Sequence, residues 1–128
     1  MSNPAVFDGI LNVAIPVTDH DRAIGFYTDM LGFEVRFEAT FGPGLRWVEV
    51  APAGAQTVLA LAPAQGGAGV DTGVRLTTTD AAAAHERLRS LGVAVDDILT
   101  MPGVPPMFVF RDLDGNRLYA VEESPGQR

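Results

Sequence analysis

Few side chains of this sequence could carry chemistry, and the most informative are Trp47, Glu49, Arg75 and Tyr119. An arginine pairs with an anionic or carbonyl group, and a carboxylate pairs with a cation or a hydroxyl group. Two flat aromatic rings can form the walls of an apolar pocket. Together they indicate a site that holds a small, partly aromatic molecule. The alternative is that Glu49 and Arg75 form a salt bridge at a sheet rim, and that Trp47 packs in a core or a dimer interface.

Several classes of chemistry and partner are disfavoured by composition. The chain has no cysteine, which excludes disulfides, thiolate metal sites and thiol catalysis, and which is consistent with the cytoplasm. Ser90 lies at a predicted helix end, and His20 and His85 lie at helix positions predicted to be exposed. A net charge of −7 disfavours nucleic acid and anionic membranes as partners. No stretch reads as a signal peptide or a membrane span.

The elements that position these side chains occur in two similar halves. In the first half, alternation over Leu11, Val13, Ile15 and Val17 predicts a strand, and a helix capped by Thr18 or Asp19 follows. Three further strands are predicted over 33–37, 45–50 and 57–61. After a glycine-rich stretch the order repeats, with a strand over 73–79, a helix capped by Asp80, and strands over 93–95, 106–111 and 117–122. The sequence therefore predicts one α+β domain with two βαβββ modules, about 8–63 and 72–123, joined by a linker at about 64–71.

Two groups of residues carry a resemblance to a known family. The first is Val17-Thr18-Asp19, Arg22-Ala23, Phe26-Tyr27 and Leu31-Gly32-Phe33-Glu34-Val35; the second is Phe110-Arg111-Asp112-Leu113-Asp114-Gly115-Asn116. They resemble the glyoxalase, bleomycin-resistance and extradiol-dioxygenase superfamily, also called vicinal oxygen chelate proteins. Leu113 departs from the family pattern, which has proline there. The resemblance covers residues 8–123.

The resemblance implies that two modules form curved mixed sheets around a shared pocket, with one face of each sheet under the helices. Strand alternation then assigns the faces. The residues expected under the helices are Leu11, Val13, Ile15, Val74, Leu76, Leu118 and Ala120. The residues expected to bind a ligand on the other face are Asn12, Trp47, Glu49, Arg75, Thr77 and Tyr119.

The family's metal ligands are His, Gln or Glu residues on four strands, and here those positions are Asn12, Ala60, Gly73 and Tyr119. Alanine and glycine offer no ligand atom, and a neutral tyrosine is a poor ligand. A hard dication needs several oxygen or nitrogen ligands. The sequence therefore predicts that the protein uses no metal or other cofactor.

The function that follows is metal-independent binding of a small organic molecule, for sequestration or sensing, by a cytoplasmic homodimer. The alternative is an enzyme of the same superfamily, a lyase, isomerase or dioxygenase. Such an enzyme would be either metal-free with Glu49 as the base, or metal-dependent with ligands elsewhere. The segment 101–107, with two methionines and three prolines, is either a lid over the pocket or a stiff connection.

Overall fold

The computed structural model of the protein describes residues 4–123, which form two four-stranded mixed sheets with one helical segment each. The first half contains β1 (Asn12–Val17), α1 (His20–Gly25), β2 (Glu34–Thr40), β3 (Arg46–Ala51) and β4 (Val58–Pro63). The second half contains β5 (Asp71–Thr78), α2 (Ala81–Ser90), β6 (Leu99–Met101), β7 (Val104–Arg111) and β8 (Arg117–Glu122). The α+β class and the repeated βαβββ order are confirmed.

The two sheets have the same topology. The strand order is β1-β4-β3-β2 in the first and β5-β8-β7-β6 in the second. In each sheet the first strand runs parallel to the last, and the other neighbours are antiparallel. Pro16, which lacks an N–H group, lies in the edge strand β1, as its chemistry requires. Both sheets are open and do not close into a barrel.

Aspartate side chains begin both helices. Asp19 Oδ1 accepts a hydrogen bond of 3.1 Å from the Arg22 amide, and Asp80 Oδ1 accepts one of 3.0 Å from the Ala83 amide. After Gly25 the first helix continues as one π-helical turn, Phe26–Met30. That turn places Phe26 and Tyr27 in the core.

Two sequence predictions are wrong in detail. The strand predicted over 93–95 is reduced to one bridge between Val95 and Phe110, and the strand beside β7 is β6. All three β6 residues are exposed, so β6 lacks the alternation of buried and exposed residues that predicts a strand. Leu11, expected under the helices, precedes β1 and is 79% exposed. The segment 101–107 forms the turn of the β6–β7 hairpin and the start of β7.

One apolar core lies on the helix side of both sheets. Ile15, Val48, Val50, Leu59 and Leu61 contribute from the first sheet, and Phe108, Phe110, Leu118 and Ala120 from the second. Val13, Val74 and Leu76 pack against it. Apart from Leu11, the residues expected under the helices therefore face the core. Since alternate side chains point to opposite sides of a strand, their neighbours point to the faces without helices.

A buried polar cluster at the β7–β8 turn joins the halves. Asn116 Oδ1 accepts hydrogen bonds from the Gly69 and Val70 amides, at 2.9 and 3.0 Å, and Asn116 Nδ2 donates to Pro16 O at 2.8 Å. Thr18 Oγ1 donates to Asp114 Oδ1 at 2.6 Å. The family-like turn therefore fixes the end of the linker and the end of β1 to the second sheet.

Candidate functional site

Trp47 and Glu49 lie side by side on the face of β3 away from the core. The indole Nε1 of Trp47 donates a hydrogen bond of 2.9 Å to Glu49 Oε2. Their neighbours Val48 and Val50 are fully buried in the core, which turns both side chains to the opposite, open face. Trp47 is partly exposed, so the hydrogen bond holds an aromatic plane at an accessible position.

Arg75 and Tyr119 form the corresponding pair on the open face of the second sheet. They are register partners on the parallel strands β5 and β8. The guanidinium carbon of Arg75 lies 4.6 Å from the centroid of the Tyr119 ring, within cation–π range. Arg75 Nη1 also donates to Gly73 O at 3.0 Å. The cation is thus held over a ring, and its remaining N–H groups are available to a ligand.

Asp71 completes this second group, and sequence reasoning missed it. The Tyr119 hydroxyl donates to Asp71 Oδ2 at 2.8 Å, and the Gly73 amide donates to Asp71 Oδ1 at 3.1 Å. The Tyr119 hydrogen bond is the main cause that lowers the pKa of the Asp71 carboxyl, with the Gly73 amide next. The same bond raises the pKa of Tyr119. The Tyr119 proton is therefore retained, and the ring is fixed at its polar end.

The six predicted residues form two groups rather than one. Asn12, Trp47 and Glu49 lie on the first sheet, and Arg75, Thr77 and Tyr119 lie on the second. Across residues 4–123 no hydrogen bond, ion pair or ring contact joins one group to the other. Glu49 and Arg75 accordingly do not form a salt bridge with each other. Thr77 is exposed beside Val121, and Asn12 begins β1 opposite Val58.

Phe37 also belongs to the open face of the first sheet and was missed from sequence. It is the register partner of Glu49 and is 48% exposed. A bulge between Val35 and Phe37 shifts the alternation of β2, so the sequence pattern does not reveal which side Phe37 faces. Ala39, the partner of Trp47, extends the same apolar strip.

The positions that hold a metal in the family do not fit one here. The Ala60 side chain has no atom that could ligate a metal, Gly73 lies in a strand irregularity with φ of +68°, and the Tyr119 hydroxyl donates a hydrogen bond to Asp71. In the part of the chain that the structure describes, no three His, Asp or Glu side chains are close enough to hold a metal ion. These residues cannot form the chelate that the family implies.

The two histidines are tied to the fold. His20 Nε2 lies 2.9 Å from Leu61 O, and His85 Nε2 lies 2.9 Å from Asp96 O. The His85 ring also meets Phe108 edge-on, with 5.1 Å between centroids. Both rings are half-buried rather than fully solvated, contrary to the expectation from their helix positions, and neither lies on an open face.

A cavity of about 940 Å³ lies on the other side of the sheets, between the two halves. Its floor includes the core side chains Leu59, Phe108 and Phe110. Trp47, Glu49 and Tyr119 do not border it. Arg75 and Thr77 do, together with Val74, Leu76 and Thr78 of the same edge strand β5.

Comparison with known proteins establishes the family. Residues 9–119 match the model of the Glyoxalase/Bleomycin resistance protein/Dioxygenase superfamily. The chain belongs to this superfamily. None of the helices within residues 4–123 is long and apolar enough to cross a membrane.

Three relatives illustrate the range of similarity. The protein YetH of Bacillus subtilis (strain 168) is 32% identical over 110 residues, which cover 81% of this chain and 89% of YetH. A member of the superfamily from Sphaerobacter thermophilus DSM 20745 is 34% identical, with a TM-score of 0.87 over 93% of this chain and all of that one. TnmS3, an antibiotic binding protein from Streptomyces sp. CB03234, is 31% identical, with a TM-score of 0.82 over 94% of this chain and all of TnmS3.

Proposed function

We propose that the protein binds a small organic molecule without a metal ion, and that it sequesters or senses this ligand. The observation that carries the proposal is that two aromatic side chains are already held in place. Trp47 donates a hydrogen bond to Glu49, and Tyr119 donates one to Asp71 while its ring lies beneath the Arg75 guanidinium. Side chains already held in place lose little conformational entropy on binding. The similarity to an antibiotic binding protein supports the same class of function.

The proposed ligand is planar, partly aromatic, and carries a carbonyl or anionic group. Trp47, Phe37 and Tyr119 provide aromatic surface on the two open faces. Arg75 supplies a cation whose side chain forms no ion pair within residues 4–123, so it is available to a carboxylate or carbonyl. Asn12 supplies an amide that can donate or accept.

The two groups would form one site in a homodimer. No element within residues 4–123 covers either open face, and large exposed apolar patches are rare on monomers. Two-fold pairing would set the Trp47 group of one copy against the Arg75 group of the other. The ligand would then be bound between an aromatic wall and a cation on facing sheets.

Calorimetry with two probes tests this assignment. Naphthalene-2-carboxylate is planar and anionic, and naphthalene-2-methanol has the same rings without the charge. Arg75→Gln should weaken only the carboxylate, by about tenfold, the loss of one charge-assisted contact. Trp47→Leu should weaken both probes. Arg22→Gln removes an exposed arginine on α1 and serves as the control. Failure of both probes to bind, or equal effects of Arg75→Gln and Arg22→Gln, would argue against the proposal.

A second candidate is a metal-free enzyme in which Glu49 is the general base. One carboxylate oxygen of Glu49 accepts the Trp47 N–H, and the other has no hydrogen-bond partner in the described chain, so it is free to accept a proton. Glu49→Gln separates the two functions, because an amide keeps the shape but cannot take the proton. In a binding protein, both wild type and Glu49→Gln return the bound molecule unchanged by mass spectrometry. Conversion by wild type that the variant abolishes would favour the enzyme.

A further inference from the structure

The cavity between the halves is a second feature that could hold a ligand, separate from the open sheet faces. It lies on the helix side, bordered by the end of the first helical segment, by α2 and by the core faces of both sheets. It is a cleft that opens to solvent at its rim, where exposed residues such as Asp29 and Arg87 line it. A cavity of about 940 Å³ is at the upper end of small-molecule sites. Its size therefore favours a bound molecule.

The cavity floor is apolar and partly aromatic. Leu59, Phe108, Phe110 and Ala120 are buried side chains that face it, and Val74 and Leu76 border it from β5. Such a surface gains contacts and loses contact with water when an apolar group enters. The body of the ligand should accordingly be a ring system or an alkyl chain.

One cation at the cavity is unpaired among the residues that the structure describes. Arg87 on α2 borders the cavity, and its guanidinium makes no hydrogen bond or ion pair within residues 4–123. By contrast, Arg89 on the same helix pairs with Glu86 at 2.9 Å. Asp29 is the only carboxylate at the cavity rim within the described chain, and it forms no ion pair with Arg87. The free guanidinium can therefore pair with an anionic head group.

We propose that this cavity is a binding site for an amphipathic monoanion, with an apolar ring or chain and one carboxylate or sulfonate group. The apolar part would contact the Phe108 and Phe110 floor, and the anion would pair with Arg87. This site is distinct from the Trp47 group of the proposed open-face site, since Trp47 lies on the opposite side of its sheet, while Arg75 borders the cavity as well.

The N-terminal segment is the competing occupant. Val6 and Phe7 are 85% and 84% exposed. The end of this segment that leads into β1 lies near the cavity rim, where Thr57 Oγ1 donates a hydrogen bond of 3.4 Å to Ile10 O. It also carries the carboxylate of Asp8. If it fills the cavity, Phe7→Ser should open the site and strengthen probe binding.

The test uses 8-anilinonaphthalene-1-sulfonate, an amphipathic anion that fluoresces when its rings leave water, and its uncharged analogue N-phenyl-1-naphthylamine. Because both probes also resemble the ligand proposed for the open faces, binding is measured in the Trp47→Leu background, where one molecule of each per chain should bind at the cavity. Arg87→Gln should raise the dissociation constant of the sulfonate about tenfold and leave the uncharged probe within twofold. Asp29→Asn should tighten the sulfonate, because it removes a like charge. The control Arg22→Gln removes an exposed arginine that does not border the cavity, and it should change neither probe.

A filling substitution tests the location. Ala84→Trp puts an indole into the cavity and should abolish binding of both probes, whereas Ala82→Trp on the exposed side of the same helix should not. The Trp47→Leu background itself should retain cavity binding of both probes. The proposal is overturned by wild-type binding in Ala84→Trp, by loss of binding in Trp47→Leu, or by equal effects of Arg87→Gln and Arg22→Gln. Tighter binding in Phe7→Ser by tenfold or more would also overturn it, in favour of the N-terminal segment.

Discussion

The Tyr27 hydroxyl donates a hydrogen bond of 2.7 Å to Asp112 Oδ2 across 85 positions of the sequence. Tyr27 belongs to the first half and Asp112 to the turn between β7 and β8, and both are buried. Asn116 Nδ2 donates to the same carboxylate oxygen at 3.0 Å. The buried Asp112 carboxylate therefore accepts hydrogen bonds from side chains of both halves. We expect these hydrogen bonds to contribute to the free energy of unfolding.

Removing the polar side chains of this cluster should lower stability more than their apolar area explains. Asn116→Ala should lower the free energy of unfolding by about 2–4 kcal/mol, because it removes the partner of two backbone amides and one carbonyl, all partly buried, and of the buried Asp112 carboxylate. Tyr27→Phe should lower it by about 1–2 kcal/mol. Urea unfolding would measure both. Ser90→Ala, which removes an exposed hydroxyl, should stay within about 0.5 kcal/mol. Similar values for Asn116→Ala and Ser90→Ala would show that the cluster does not join the halves.

Stability should also fall at alkaline pH because of Tyr27. Burial raises the pKa of Tyr27 well above its usual value, and the Asp112 charge and hydrogen bond raise it further. The unfolded chain loses this proton near pH 10, whereas the folded chain keeps it. The stabilisation is thus complete below about pH 10 and declines above it, by about 1.4 kcal/mol per pH unit. Tyr27→Phe should flatten this decline in urea titrations from pH 9 to 11, while Tyr119→Phe should alter it much less. An unchanged decline in Tyr27→Phe would contradict the assignment.

Gly73 should be required for the position of Arg75. Its φ of +68° lies where a side chain strains the backbone, although no atom lies within 4 Å of the added methyl group. Gly73→Ala should therefore cost about 1–2 kcal/mol of stability. It should also weaken binding of naphthalene-2-carboxylate, because Gly73 O accepts a hydrogen bond from Arg75 and the Gly73 amide donates one to Asp71. Gly66→Ala is the control, since Gly66 has open space and no positive φ. Equal unfolding midpoints for the two variants would exclude this role.

The protein should be a homodimer that buries the open faces. Light scattering at micromolar concentration should give twice the chain mass of 13.6 kDa. Phe37→Glu places a charge on the open face of the first sheet and should produce monomers. Leu113→Glu is a matched control, because Leu113 has the same exposed fraction of 48% but lies in the β7–β8 turn. A wild-type monomer, or dimers of Phe37→Glu, would contradict the proposed pairing.

Local signals predicted most of the fold. The caps Asp19 and Asp80 lie where the helices begin, and β8 has the predicted bounds. The features that the sequence did not predict depend on contacts between residues distant in sequence. The strand predicted at Val95 is displaced to Leu99–Met101 because pairing with β7 decides it. The β2 bulge hides Phe37, and the Asp71–Tyr119 hydrogen bond depends on the β5–β8 register. The cavity at Arg87 arises from the packing of two halves, which no alternation pattern encodes.

The most direct test of the central claim is the indole N–H signal of Trp47 in a ¹H–¹⁵N NMR spectrum. Trp47 is the only tryptophan, so its signal needs no assignment, and its N–H bonds to Glu49 on the open face. Naphthalene-2-carboxylate, titrated in the presence of a chelator, should shift this signal to saturation. The shift should weaken in Arg75→Gln. Metal-independent binding at the open faces would be contradicted by a Trp47 signal that does not move while the probe binds. It would equally be contradicted by absence of binding, or by binding that appears only after a divalent metal is added.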